Sequence, residues 1–374
     1  MKSNKTKILF IGSVPPPYHG VTVQNQRLLN STLNDEFYLI HLDTTDRRDL
    51  NNLGKFDFEN IYLALKHLFK LIFLLVIRRP EIVYLTVAQN ALAFFRDGLF
   101  IIISRLLIKA KVVVHFRGAN YLKFYKASSL IFKKFIDLTY HYTNYGIVLG
   151  QSLKPMISKW FGDEQIFVVP NGTDFLPNLN KKKNGEFSEL NLGYIGFLGT
   201  EKGTYELLNA FNIVQKKYKI LKLYLAGEFA YDDGNFKNYF FHFIKENDLE
   251  DKVKLLGKVQ NKEKEDFFLN TDIFIFPSWH EGHPNAILEA MASKCPVIAT
   301  NVGAISESII DGYNGYLIEK KSVDALVQRI NQFVNNKEII SEMSKNSRHL
   351  FEKKFTSGIN INQMKSIFAK IGSH

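Results

Sequence analysis

The chain has 374 residues, with 48 Lys and Arg against 37 Asp and Glu, a formal net charge of +11 and a single cysteine. That length suits two domains, and 46 % apolar with 23 % charged residues is globular rather than disordered composition. The lone Cys295 excludes a disulfide framework and a cysteine-based zinc site, and reads as a small core residue in a chain made for a reducing compartment.

The charge is uneven. Residues 1–174 carry 22 Lys and Arg against 13 acidic residues, and residues 175–374 carry 26 against 24. The basic first half suits an anionic partner: a phospholipid surface, a lipid diphosphate or nucleic acid. A solvated basic face would also account for it. The start, MKSNKTKILFI, runs directly into Gly12 and three prolines, so it reads as a first buried strand rather than a secretory signal. Leu71–Ile77 is a short apolar run closed by Arg78 and Arg79, too short for a membrane span. The expectation is a cytoplasmic protein, associated peripherally with the inner face of the cell membrane.

In chain order, the first half alternates apolar strands with helical patterns. Strands are expected at Lys7–Ile11, Phe37–Leu42, Ile82–Thr86, Val112–His115, Gly146–Leu149 and Phe167–Val169. Helices are expected at Val21–Leu33, Ile61–Ile77, Leu92–Ile108 and Phe132–Tyr142. Ile61–Ile77 is apolar all round with Lys66, His67 and Lys70 on one side, the pattern of a largely buried or surface-lying amphipathic helix. Asp174–Asn191 breaks the alternation with prolines, asparagines and three consecutive lysines, which predicts a linker over 174–190.

The alternation then resumes. Strands are expected at Asn191–Ile195, Lys222–Ala226, Val253–Leu256, Ile273–Phe276, Pro296–Ala299 and Gly315–Leu317. Helices are expected at Tyr205–Tyr218, Asn238–Asn247, Glu263–Leu269, Asn285–Ala292, Ser306–Ile310 and Val323–Asn335, with a last one near Gly358–Ile371. The fold class is therefore α/β: two Rossmann-like doubly wound parallel-sheet domains, residues 1–173 and 191–355. A terminal helix, about 356–374, is expected to pack back on the first. Ligands of such sheets bind outside the carboxyl ends of the strands, so the two domains are expected to face a central cleft.

The most informative segment is Ser278–Gly315, SWHEGHPNAILEAMASKCPVIATNVGAISESIIDGYNG. Glu281 falls in the loop after a strand, Gly282 and Pro284 open a helix at Asn285, and Glu289 lies one turn in. A helix start offers backbone N–H groups and positive potential to a diphosphate. Two carboxylates there can accept hydrogen bonds from vicinal sugar hydroxyls. On spacing alone, Glu289 fits a solvated helix carboxylate equally well.

This segment closely resembles the retaining glycosyltransferases of family 4, which have the GT-B fold and the setting EGxPNxxLEAMAxGxPV. The resemblance runs from about Lys7 to Thr356. It implies transfer of a hexose or N-acetylhexosamine from a nucleoside diphosphate sugar to a saccharide or lipid-linked saccharide, in capsule, exopolysaccharide or O-chain synthesis. It implies Glu281 and His115 as catalytic residues. It places Gly20, Lys202, Val259, Gly282, His283, Pro284, Asn285 and Glu289, with Glu281, on the donor. Lys202 would contact the diphosphate, and Leu256–Val259 would receive the base. His19, Arg117, Gly118 and Asn171 fall on the acceptor side. His115 closes its strand in the sequence HFRG, where a buried structural histidine is the alternative reading.

Two departures stand out. Phe197 occupies the position of the family's phosphate-binding arginine, and His19 stands where relatives carry a glycine. No Asp-x-Asp pair occurs, and Asp232–Asp233 adjoins Gly234 in an expected loop, so neither a cofactor nor a metal is expected. A sugar-nucleotide epimerase and a basic nucleic-acid-binding protein are the competing readings. No zinc, helix-turn-helix or RNP pattern favours the latter, so no nucleic-acid partner is expected.

Overall fold

The computed structural model describes residues 5–47, 58–182, 189–230 and 233–373. It divides into two compact units, Met1–Asn171 with Gly358–His374, and Gly172–Ser357.

The first unit runs β1 (Lys7–Gly12), α1 (Gly20–Leu29), α2 (Leu33–Glu36), β2 (Tyr38–Asp43), α3 (Phe58–Arg78), β3 (Ile82–Thr86), α4 (Ala91–Ile108), β4 (Lys111–Phe116), α5 (Tyr121–Ala127), α6 (Leu130–His141), β5 (Tyr145–Val148) and β6 (Ile166–Val168). Its strands form one sheet of order β2-β1-β3-β4-β5-β6, every pair parallel. Ile, Leu, Val and Phe runs such as ILFI and VVV are buried on both faces, as helices on both sides of a parallel sheet require. Helix starts are capped by side chains: Asn90 Oδ1 accepts from Ala93 N at 3.0 Å, and Ser129 Oγ from Phe132 N at 3.3 Å.

The second unit runs β7 (Leu190–Ile195), α7 (Thr204–Lys217), β8 (Leu221–Ala226), α8 (Gly234–Glu246), β9 (Val253–Gly257), α9 (Asn261–Leu269), β10 (Ile273–Phe276), α10 (Asn285–Ala292), β11 (Val297–Thr300), α11 (Ile305–Ser308), β12 (Gly315–Ile318), α12 (Val323–Asn335) and α13 (Lys337–Lys354). Its sheet is also parallel, of order β12-β11-β10-β7-β8-β9. The strand order reverses beside β7 and β10, so the loops after these two strands leave the sheet at its switch point. Asp233 caps α8, its Oδ1 accepting from Phe236 N at 3.3 Å, while Asp232 lies outside the described residues.

The last helix, α14 (Ser357–Gly372), returns to the first unit. Met364, Ile367, Phe368 and Ile371 pack on Ile8, Phe10, Ile82 and Tyr84. Burying side chains of this size contributes roughly 1.5–3 kcal/mol each, so the terminal helix is part of the first core.

Residues 174–182 behave as part of the second unit. Phe175 packs on its core, and Lys182 Nζ donates to Thr271 O at 3.0 Å and lies 3.2 Å from the buried Cys295 Sγ. Residues 183–188 of the expected linker lie outside the described residues.

Helix α3 lies on the surface of its unit with Leu71 and Leu75 buried, and His67 stands one helical repeat before them. His67 therefore belongs to the buried stripe and not to the exposed basic side with Lys66 and Lys70. No helix among the described residues is long and apolar enough to cross a membrane.

Candidate active site

In the second unit the site residues come from three loops at carboxyl ends of strands. After β7 the chain makes a short turn, Thr200–Lys202, and enters α7 through Gly203. Gly203 has φ +69°, and a Cβ there would meet Pro277 O at 2.1 Å, so only glycine lets this turn lie against the end of β10. That contact brings two segments 79 residues apart together. Lys202 Nζ donates to Glu281 Oε1 at 2.7 Å, and Ser278 Oγ donates to the same oxygen at 2.8 Å. Trp279 N donates to Glu201 O at 2.9 Å and ties the loops at the backbone.

A second close approach holds the loop from behind. Gly303, with φ +58°, lies where a Cβ would be 2.0 Å from Glu281 O, and Ala304 N donates to Gly282 O at 2.8 Å. Glu281 is thereby fixed through its backbone, while its carboxylate keeps 15 % exposure and its partner Lys202 keeps 33 %. The pair is partly buried, so its attraction is offset by the cost of desolvating both charges. Its importance is positional, since it holds a cation and an anion side by side at the sheet's switch point.

Pro284 stands at the cap position of α10 with extended backbone, and Asn285 and Glu289 follow on the helix. Glu289 Oε1 accepts from Lys264 Nζ at 2.7 Å, Glu289 keeping 13 % exposure. Lys264 comes from α9 and also lies 5.0 Å from the centroid of the Phe175 ring. Sequence reasoning missed Lys264, because NKEKED reads as a charged solvated helix face. Val259 is half-buried on the core just beyond β9. His283 turns inward: it is buried, its Nε2 lies 2.6 Å from Ser308 Oγ, and its ring packs 5.5 Å from Phe355. Burial pushes its pKa down to about 4, so it is neutral at pH 7. Its side chain therefore shapes the loop, leaving Gly282, Pro284 and Asn285 to line it. Phe197 is partly exposed, and its carbonyl accepts from Tyr194 Oη at 2.6 Å.

In the first unit the expected residues form a different arrangement. His115 lies inside β4 and not at its last position, and it is fully buried. Tyr84 Oη, on the neighbouring β3, is 2.7 Å from His115 Nδ1. Arg117 Nη1 donates to Asn171 Oδ1 at 2.7 Å, and Nη2 approaches Tyr84 Oη at 3.4 Å. Arg117 thus donates to Tyr84 Oη, which is hydrogen-bonded to His115 Nδ1. The neutral tautomer in which Tyr84 donates to Nδ1 carries its hydrogen on Nε2. Burial, reinforced by the Arg117 charge, pushes the His115 pKa well down and keeps the ring neutral. Its Nε2 has no hydrogen-bond partner among the described residues. A buried, unsatisfied donor is costly, roughly 1–3 kcal/mol, and such orphans concentrate at functional sites. Tyr84 was not identified from the sequence because IVYLT reads only as a core strand.

On the loop after β1, His19 caps α1: its backbone N donates to Thr22 Oγ1 at 3.1 Å. Burial lowers its pKa. Gly20 opens α1 with nothing within 4 Å of where a Cβ would stand, so no neighbour among the described residues demands a glycine there. At Gly118 a Cβ would meet the Gln89 side-chain amide at 2.3 Å.

Residues 178–350 match the family described as glycosyl transferases group 1. Among curated proteins, the chain is 28 % identical over 177 residues to the capsular polysaccharide biosynthesis glycosyltransferase CapM of Staphylococcus aureus, covering 47 % of this chain and 45 % of that one. It is 30 % identical over 217 residues to the poly(ribitol-phosphate) alpha-N-acetylglucosaminyltransferase of S. aureus strain COL, covering 57 % of this chain and 41 % of that one. The chain spans about half the length of the curated relatives it matches. Among solved structures, sucrose-phosphate synthase from Thermosynechococcus elongatus aligns over 99 % of this chain and 100 % of its own, with a TM-score of 0.78 and 16 % identity. The Anabaena protein HepE in complex with UDP aligns over 98 % and 100 %, with a TM-score of 0.74 and 16 % identity. At these identities the likeness concerns the fold. Two six-stranded parallel α/β units match the GT-B structures, as the sequence led one to expect.

Proposed function

We propose that the protein is a retaining glycosyltransferase of family 4. It moves a hexose or N-acetylhexosamine from a nucleoside diphosphate sugar to a saccharide or lipid-linked saccharide acceptor during assembly of a surface polysaccharide. The observation that carries this reading is the Lys202–Ser278–Glu281 junction beside the start of α10, within the segment that matches glycosyl transferases group 1.

In the proposed reaction the bond between the anomeric carbon and the diphosphate oxygen breaks, and a bond to the acceptor oxygen forms on the same face of the sugar. The acceptor's proton passes to the departing diphosphate. Negative charge grows on that leaving group, and Lys202 with the backbone at the start of α10 stabilises it. Preorganised donors of this kind are worth roughly 3–4 kcal/mol each. The oxocarbenium-like carbon gains from the Glu281 carboxylate nearby. Gly282, Pro284 and Asn285 line the loop, Glu289 accepts from sugar hydroxyls, and Val259 borders the base. With Phe197 in place of an arginine, Lys264 is the further cation at hand. In the first unit, neutral His115, buried beside Tyr84 and Arg117, is the proposed catalytic imidazole. Arg117 and Asn171, with His19, Gly20 and Gly118 along the loops, serve the acceptor side.

The reaction as proposed uses no metal ion and no nucleic acid. We further assign the protein to the cytoplasm, at the anionic inner face of the cell membrane, on the strength of its basic first half and the exposed apolar side of α3. The test is a thermal-shift screen of sugar nucleotides, followed by a transfer assay with the stabilising donor before and after exhaustive EDTA treatment. A stabilising donor and EDTA-insensitive transfer are expected. No donor binding overturns the function, and complete EDTA loss restored by Mn²⁺ overturns the metal independence. Flotation with anionic liposomes tests the location, and recovery no greater than without lipid removes it.

A further inference from the structure

Between α3 and α4 of the first unit lies a pocket of about 530 Å3, a volume in the range of ligand sites. Its two ends differ in chemistry. One is polar and lies at the carboxyl ends of β1 and β2, where Ser13, His19, Thr44 and Thr45 contribute to the lining. The other is apolar, walled by Ala64, Leu68, Ala93 and Leu99 among others. The same two helices then present an apolar outer face: Phe69 is 71 % exposed, Phe73 61 %, Phe95 50 % and Leu106 62 %. A monomeric soluble surface rarely shows so many large apolar side chains together, and such patches mark lipid or partner contact.

Two groups stand where the chemistry changes. His67 lines the pocket, is only 8 % exposed, and its Nδ1 has no hydrogen-bond partner among the described residues. Arg96 lines it too, held by Asp97 at 2.8 Å while keeping 26 % exposure. Asp46 is the acidic member of the lining. A polar end with a cation and an orphaned imidazole, followed by an apolar slot that faces an apolar surface, has the polarity of an amphiphile.

Resting on the glycosyltransferase reading, we propose that this pocket holds the phosphate and hydrocarbon chain of a single-chain, lipid-linked acceptor. The head group lies at the ends of β1 and β2 beside His67 and Arg96, and the hydrocarbon chain runs between α3 and α4. The apolar outer face of those helices then lies against the membrane from which the chain enters. One slot between two helices fits one chain rather than the paired chains of a bilayer phospholipid.

The experiment uses the full chain and a fluorescent farnesyl diphosphate kept below its micelle concentration. Saturable binding is expected, at least 10-fold weaker in Ala93→Phe and Ala64→Phe, which fill the slot. Inorganic diphosphate and dioleoylphosphatidylglycerol should compete poorly. A diazirine-bearing farnesyl diphosphate should crosslink peptides of α3 and α4 in the unmodified protein, which keeps the test valid if either variant misfolds. Unchanged binding in folded variants, crosslinks elsewhere, equal competition by the two-chain lipid, or a dimer that excludes the probe would each overturn the proposal. Calorimetry with the sugar nucleotide separates the two readings: donor binding without the lipid overturns only this pocket, and lipid binding without any donor overturns only the glycosyltransferase.

Discussion

In the second unit the site's polar groups meet as partly buried ion pairs, on loops and helices gathered at a sheet's switch point. In the first they are buried in one face of the sheet and linked as Arg117, Tyr84 and His115, with the imidazole neutral. The ion pairs Lys202–Glu281 and Lys264–Glu289 can be exchanged for contacts to a ligand that replaces each partner, since desolvation offsets much of the attraction within each pair. The buried network cannot be rearranged so cheaply. These two halves should therefore fail differently when mutated. Changes in the second unit should affect ligand binding with the fold intact, whereas changes in the first should affect chemistry and stability together.

The largest effect is expected from Glu281→Ala. Sugar transfer should fall about 10³-fold with little change in melting temperature, because in the proposed reaction the residue combines a catalytic contact with the placement of Lys202. A melting temperature that drops with the activity would erase the contrast between the units. Next comes His115→Ala, for which kcat should fall roughly 10²-fold and the protein should melt earlier. Its milder companion, Tyr84→Phe, removes the hydrogen bond that fixes the tautomer and should cost about 1 kcal/mol, a several-fold loss in kcat at unchanged donor KM. Equal losses in both constants would instead mean a general structural defect.

Glu289→Ala should weaken donor binding roughly 30-fold by calorimetry, the loss of one charged hydrogen-bonding group; an unchanged affinity removes it from the site. The last prediction concerns pH. His67 and His283 have folded pKa values lowered to about 4, and His115 lies well below its ordinary value. The unfolded chain binds these protons near pH 6.5. Stability is therefore fully present above that pH and is lost as pH falls toward the folded values. For His283 the loss between pH 7 and pH 5 is up to about 2 kcal/mol. Denaturant titrations at the two pH values measure it, and His283→Gln should flatten the difference.

Much of this could be read in the sequence. The strands appeared as short runs of branched and aromatic residues because both faces of a parallel sheet are buried, and the segment around Glu281 carried its loop-to-helix signals in Gly282, Pro284 and Asn285. Other parts could not be read so directly. Helix α13 was not anticipated: its apolar positions, Ile340, Met343, Leu350 and Phe351, are sparse among charged residues, although Asn336 caps it by accepting from Glu338 N at 3.2 Å. His67 looked polar because of its lysine neighbours, while its spacing of four from Leu71 put it inside. Tyr84 and Lys264 take their roles from partners 31 and 25 residues away, His115 and Glu289, and pairings at that range have no local pattern.

The pairing of Lys202 with Glu281 also bears on how the product leaves. In the proposed reaction a diphosphate draws Lys202 toward itself, and Glu281 loses its cation. The sugar hydroxyls of the intact donor can take that place, so the donor satisfies both residues. After transfer the nucleoside diphosphate still competes for Lys202 but offers Glu281 nothing. The old pair then re-forms at 2.7 Å and helps to expel it. The resting ion pair thus acts as a built-in competitor, weighted against product rather than substrate. The nucleoside diphosphate should accordingly bind more weakly than its sugar-bearing parent.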